Sequence, residues 1–281
     1  MMQRLLGLDR GHLPGALHAF AHRQGALGDG NNVEQGEYTI EEAAQKCVAL
    51  GAAGFTHHGA AKPSGRVLCY FKSSQAGNAD PNWQSYTLDS TLIYQRAVLL
   101  KAQQNYDDAG KWFKQAIAAG YEDQAECHNQ HGECLEKLGN LNDALKEFDQ
   151  ALSPYDNGKP HEARFLYNRG KALFKSGMPE TRFTKKVELL KRAEVDLQQA
   201  LMHIGYNHAL QEKIHGRTAS ITTELAQMAE EAARRGQQLY ETQLWSEAFA
   251  AFSESLSTKH GNQSECLFLR AMCSIQKQQP E

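Results

Sequence analysis

Four stretches of the chain carry the same three-residue signature, and that recurrence limits the fold more than any other feature. A small residue is followed four positions later by a bulky one, and three after that by a second small one. The copies are Ala109-Phe113-Ala116, Ala144-Phe148-Ala151, Ala248-Phe252-Ser255 and a weaker Ala193-Leu197-Ala200. The first two begin 35 residues apart. At this spacing the three side chains share one helical face, and the small residues let a second helix come close. That second helix is predicted upstream of each copy, marked by Ala97, Gly132, Gly170 and Gly236, with turn glycines Gly139 and Gly177 after two of them. A helix pair recurring at such a period reads as a stacked array in which each unit buries its apolar face against its neighbours.

The pattern resembles the tetratricopeptide repeat, a helix-turn-helix unit of about 34 residues. Its fullest copy is AECHNQHGECLEKLGNLNDALKEFDQALSPYDN, from Ala125 to Asn157. The resemblance covers roughly residues 90–281 and implies a mainly α superhelix preceded by a small α+β domain. Repeats are expected at about 90–123, 125–157, 163–207 and 229–262, with a half repeat at 264–281.

Two places depart from the pattern. About eleven extra residues around MPETRFTKKVE separate Gly177 from the second helix of the third repeat. HALQEKIHGRTASITTELAQ is further unassigned sequence, expected to extend the first helix of the fourth repeat or to add a packing helix. Both read as surface insertions, with docking as the alternative. In the last stretch, SECLFLRAMCSIQKQQPE, Ala271 lies 35 residues after Gly236, which reads as a first helix without its partner. Such a half repeat cannot bury its apolar face alone. A neighbouring chain or sequence beyond Glu281 is expected to cover it, and the second is preferred.

Residues 37–88 read differently, behind a flexible leader at 1–36. Thr39 and Glu42 have capping-box spacing ahead of a short amphipathic helix that Gly51 and Gly54 close. GFTHHG and RVLCYFKSS read as strands around a turn at Lys62-Pro63-Ser64-Gly65, and Trp83 to Leu88 as a third strand. A helix on a small sheet is the simplest solution. The order of a Cys47 helix, the strand GFT and the strand LCYFK resembles PAN/apple-type modules over about fifty residues. That resemblance implies a Cys47–Cys69 disulfide in an oxidising compartment, and binding of proteins or carbohydrates, but transfers no binding residue. In the leader, Arg4, Arg10 and Arg23 with few acids suggest a transit peptide as the alternative to a plain glycine-rich segment.

The search for chemistry is short. The chain has no P-loop, no GxGxxG after a strand and no GxSxG elbow. GDGNN lacks the spaced acids of a calcium loop. His57 and His58 are adjacent on a strand and so point to opposite faces. Cys127, His131 and Cys134 fall at i, i+4 and i+7 of a helix, a set that would suit zinc. The two cysteine places recur as Cys266 and Cys273 in the half repeat, however, which favours the thiol as a small packing residue. Seven helical residues span about 10.5 Å, too far for a disulfide within either pair. No catalytic residue, metal or cofactor is predicted.

Thirty basic against thirty-three acidic residues, a formal charge of -3, argue against a nucleic-acid grip. No apolar run approaches the roughly 18 residues of a membrane span. Six cysteines in 281 residues are no disulfide scaffold, and an intracellular, cytoplasmic address is expected, with cilium, cytoskeleton or an organelle as alternatives. The repeat resemblance implies a concave groove lined by the first helices: Tyr94 and Val98; Asn129 and Glu133; Arg164, Tyr167, Asn168 and Lys171; then Arg234 and Gln237. Extended peptides or partner helices would lie there. A subfamily that clamps chaperone C-termini needs lysine and asparagine where this chain has Tyr94 and Val98, asparagine at Gln130, and arginine at Asn168. Starting one repeat later puts Glu133 where an anion must sit. The expected function is a non-catalytic scaffold or adaptor in a larger assembly. The alternatives are a co-chaperone recognising peptide termini and the regulatory arm of a longer enzyme.

Overall fold

The computed structural model describes residues 16–28, 32–50, 52–60, 65–73, 77–153 and 162–277. Residues 1–15 of the leader, Asp29 to Asn31, Gly51, the Lys62-Pro63-Ser64 turn, Pro154 to Asn157 of the second repeat and residues 278–281 lie outside the described residues. The chain forms two compact units, 1–134 and 135–281.

In the first unit the strands are β1 (Phe20–Gln24), β2 (Asn32–Tyr38), β3 (Gly54–His58), β4 (Val67–Lys72) and β5 (Trp83–Leu88). They form one antiparallel sheet in the order β1-β5-β3-β4-β2. Helix α1 (Ile40–Leu50) follows a formed capping box: the Thr39 amide donates to Glu42 Oε2 at 3.0 Å, and the Glu42 amide to Thr39 Oγ1 at 3.2 Å. Its buried Ala43, Ala44 and Cys47 meet Phe20, Phe55, Phe71 and Tyr86 of the sheet. The Phe55 and Tyr86 rings stack 4.8 Å apart.

Two strands lie in or reach into what reads as leader, β1 wholly and β2 over most of its length. Both are sheet edges. β1 buries only Phe20, and β2 exposes Val33, Gln35 and Glu37 beside a bulge at Asn32/Glu34. Charges and bulges on edges discourage pairing with other chains and also erase the apolar alternation by which a strand is read.

His57 on β3 is fully buried. Its Nδ1 lies 3.2 Å from the His58 carbonyl oxygen, and its Nε2 has no partner among the described residues. Burial, with His22 and His58 nearby, holds its pKa below the ordinary 6.5. Tyr86 stacks on its ring at 6.0 Å, and Cys69 is its cross-strand neighbour. The unfolded imidazole therefore binds a proton that the native one refuses. Stability is complete above the unfolded pKa and is lost as the pH falls from there through the lowered native value. Urea midpoints of the first unit, followed by Trp83 and Trp112 fluorescence, are expected to fall between about pH 7 and about pH 5. The slope should flatten in His57→Phe.

The sheet core also takes in Ile93, Ala116 and Cys127 from helices α2 (Ser90–Ala102), α3 (Tyr106–Ala118) and α4 (Gln124–Lys137). Asp89 caps α2 by accepting from the Thr91 and Leu92 amides, and Asn105 caps α3. The division between the units falls within α4.

The second unit continues with α5 (Leu141–Leu152), α6 (Ala163–Gly177), α7 (Phe183–His203), α8 (His208–Glu241), α9 (Trp245–Thr258) and α10 (Gln263–Lys277). α6 packs with α7, and α8 with α9. Gly139 makes its turn at φ +84°, a left-handed conformation that costs any other residue more. Every member of the four repeated triples is buried to 1% exposure or less, in each unit where it lies. Gly236 shows why the upstream small residue is needed: a Cβ there would sit 2.8 Å from the Phe252 ring. Met178 to Arg182 form the turn before α7, whereas from Phe183 on in the third repeat, and throughout HALQEKIHGRTASITTELAQ, the extra residues are helical. They lengthen α7 to 21 residues and the first helix of the fourth pair, α8, to 34. Among the described residues no helix is long and apolar enough to cross a membrane.

Candidate functional site

Most residues expected to line a groove are engaged inside their own unit. In the first unit, Tyr94 stacks on Tyr121 at 4.4 Å, and Val98 packs against the cluster of Ala97, Leu100, Ala109 and Phe113. Asn129 is fully buried and donates to Glu133 Oε1 at 3.2 Å. Glu133 also pairs with Lys101, whose ammonium reaches Gln130 as well. Asn129 thus braces a charge network from within and offers no surface to a ligand.

In the second unit, Arg164 pairs with Glu162 at 3.1 Å and lies over the Phe165 ring. Asn168 is buried at 5% exposure. Lys171 lies over the Tyr167 ring and, with Lys175, pairs with Glu136 at 2.7 and 2.6 Å. Burial would raise the Glu136 carboxyl, but the two ammonium groups outweigh it and hold its pKa below the ordinary value. Glu136 and Lys175 were not legible in the sequence, since only the fold brings α4 and α6 side chains together.

Arg234 and Gln237 stand apart from this set. Both are exposed on α8, and among the described residues neither is held by a hydrogen bond or ion pair. They stand on the rim of a cleft of about 220 Å³ formed by α8, α9 and α10. Its floor is apolar: Ala229 and Ala233 from α8, Phe252 from α9, Cys266 and Leu269 from α10. Glu230, Asn262 and Glu265 complete the rim. The sequence signal for part of the floor was Gly236 upstream of the Ala248-Phe252-Ser255 triple, and in the structure Phe252 of α9 lies against Gly236 of α8. The contribution of α10 depends on tertiary packing.

The cysteines are core residues. Cys127 and Cys134 are fully buried in two different apolar clusters, and burial pushes their thiols up to about 12 and about 11. Cys47 and Cys69 are free thiols in the sheet core, pushed by burial up to about 12 and about 11. Such thiols are poor nucleophiles at neutral pH. Among the described residues there is no group of three or more His, Cys, Asp or Glu that could hold a metal ion.

No protein-family model matches the chain, and no curated protein matches it. Solved structures do. The type III secretion chaperone SycD of Yersinia enterocolitica, in complex with a peptide of the translocator YopD, is 19% identical, with 48% of this chain and 95% of that one covered, at a TM-score of 0.40. The first TPR domain of Spaghetti, bound to an HSP90 peptide, is 13% identical over 47% of this chain and 92% of that one, at 0.37. A thermophilic TPR protein of Thermus thermophilus is 16% identical over 67% of this chain and 99% of that one, at 0.40.

Proposed function

We propose that the chain is a non-catalytic interaction scaffold that docks other proteins along the exposed faces of its first helices and through its N-terminal module, as a subunit of a larger assembly. The observation that carries this reading is the cleft between α8, α9 and α10. There an apolar floor adjoins two rim side chains that the fold leaves uncommitted. An extended peptide or partner helix fits this chemistry by seating one apolar side chain over Phe252 and Leu269. It would present an acidic group to Arg234 and a backbone amide to Gln237. The other groove residues, tied into internal ion pairs and ring contacts, act as a rigid frame.

The test is crosslinking mass spectrometry on the protein at native abundance in its own cells. Crosslinks from the exposed Lys185 and Lys259 to a fixed set of neighbours are expected, and Arg234→Glu should remove them while helicity by circular dichroism stays unchanged. A chain that contacts only chaperones, transiently, would overturn the scaffold. Neighbours retained in Arg234→Glu would overturn the cleft as its docking point.

A further inference from the structure

The two ends of the cleft between α8, α9 and α10 differ in charge. Ala229 marks one end: a Cβ built on Gly261, just before α10, would lie 3.2 Å from its side chain. Glu230 follows Ala229 on α8 and lines the cleft. The Asn262 amide donates to Glu265 Oε2 at 2.7 Å, which draws that second carboxylate back over the start of α10, to the same end. Arg234 and Gln237 stand about one and two turns further along α8. Glu230, Glu265 and Arg234 are all exposed, and among the described residues no ion pair ties any of them down. Arg235, by contrast, is spent on Glu254 of α9.

We infer that the cleft selects an extended segment of another protein in which a basic, an apolar and an acidic side chain come at alternate positions. The base lies toward Glu230 and Glu265, and the acid toward Arg234. This rests on the docking role of the cleft and adds the chemistry of what docks there.

Length and charge both support this occupant. From Ala229 to Gln237 is eight helical steps, a run of about 12 Å. In an extended chain residues i, i+2 and i+4 point to one face and span about 13 Å. The middle one lands on the apolar floor of Phe252 and Leu269. A helical segment spends its backbone groups internally, whereas an extended one leaves amides and carbonyls free for the Gln237 side chain. Acids at both ends would bring a carboxylate against Glu230 and Glu265, and bases at both ends would bring a cation against Arg234. A simple anion is a poor match, because the Glu265 carboxylate already occupies the start of α10, where the helix dipole would draw one.

A phage library of random twelve-residue peptides panned over the full chain tests the inference. The selected peptides should carry Lys or Arg, a spacer, an apolar residue, a spacer, then Asp or Glu. In fluorescence polarisation, labelled Gly-Lys-Ser-Leu-Ser-Asp-Gly should bind about tenfold or more tighter than its counterparts with Asp, or with Lys, at both charged places. Glu230→Lys with Glu265→Lys should make the doubly acidic peptide the tightest, and Arg234→Glu the doubly basic one. Glu230→Lys alone leaves the Asn262–Glu265 contact in place and should already weaken the preference. Circular dichroism should show all these surface variants folded. Peptides that need Arg234 but show another charge order would overturn the inference and leave the cleft a docking point. A selected pattern spaced three and four residues apart would make the occupant a helix and overturn the extended segment. Peptides that bind every variant equally would place the site elsewhere and overturn the docking role as well. A library that returns no peptide would overturn the inference, and the crosslinks would then judge the scaffold by themselves.

Discussion

Phe252→Ala is expected to cost the second unit about 3–5 kcal/mol, the range for removing a ring from a closed core. Phe252 is 1% exposed and shares a cluster with Ala248, Cys266 and Cys273. Its ring lies where the Cβ of any residue but glycine at 236 would collide, so the helix pair has closed around this one side chain. Alanine leaves a void that two rigid helices fill poorly. Phe252→Leu, which keeps most of the volume, should cost about 1.5 kcal/mol or less. Urea unfolding followed by far-ultraviolet circular dichroism and Trp245 fluorescence measures both. Because the same ring floors the cleft, the alanine variant should also lose partner binding under conditions where it remains folded. Equal stability of the alanine and leucine variants would show that the pair is not closed on this ring.

Asp196→Ala is the second large effect, expected at about 3 kcal/mol. Arg169 donates to both Asp196 oxygens, at 2.8 and 2.7 Å, and to Asp149 at 2.9 Å. The Asp196 side chain is only 5% exposed and that of Arg169 23% exposed, so removing the acid strands a guanidinium that water reaches poorly. Asp149 is half exposed at 51%, and Asp149→Ala should cost under about 1 kcal/mol. Replacing the pair together, Arg169→Met with Asp196→Leu, should recover most of the loss or exceed the parent, because an apolar pair avoids the desolvation of two ions. Thermal melts of the three variants decide this. An Asp149 variant as damaged as the Asp196 variant would show that burial is not what sets the strength of the pair.

The repeat was legible because its information is local. Each Ala-Phe-Ala or related triple is fixed by helical spacing, and every member lies buried where the spacing puts it. The Thr39–Glu42 box and the strands at 54–58, 67–72 and 83–88 were legible for the same reason. β1 and β2 were not, since an edge strand such as NVEQGEY has one paired side and no apolar face to announce it. The site was half legible. Helix position puts Arg234 and Gln237 on an exposed face of α8, but Asn129 and Asn168 occupy similar places and are buried. Which polar side chain turns outward depends on partners far off in sequence. Glu136 with Lys171 and Lys175, and Arg169 with Asp196, are of that kind.

A helix of 34 residues is a rod of about 51 Å, and in α8 it belongs to two helix pairs at once. Near its first half Arg217 covers the Phe174 ring of α6, and Glu224 holds Lys186 of α7. Near its second half Gly236 receives Phe252 of α9. Arrays whose units share only an interface can fray one unit at a time. Fraying the third pair away from the fourth would mean breaking α8 in mid-ladder and stranding the amides and carbonyls of two new helix ends. The two pairs are therefore one thermodynamic block, and a protein gripping the cleft would tighten helices that it never touches.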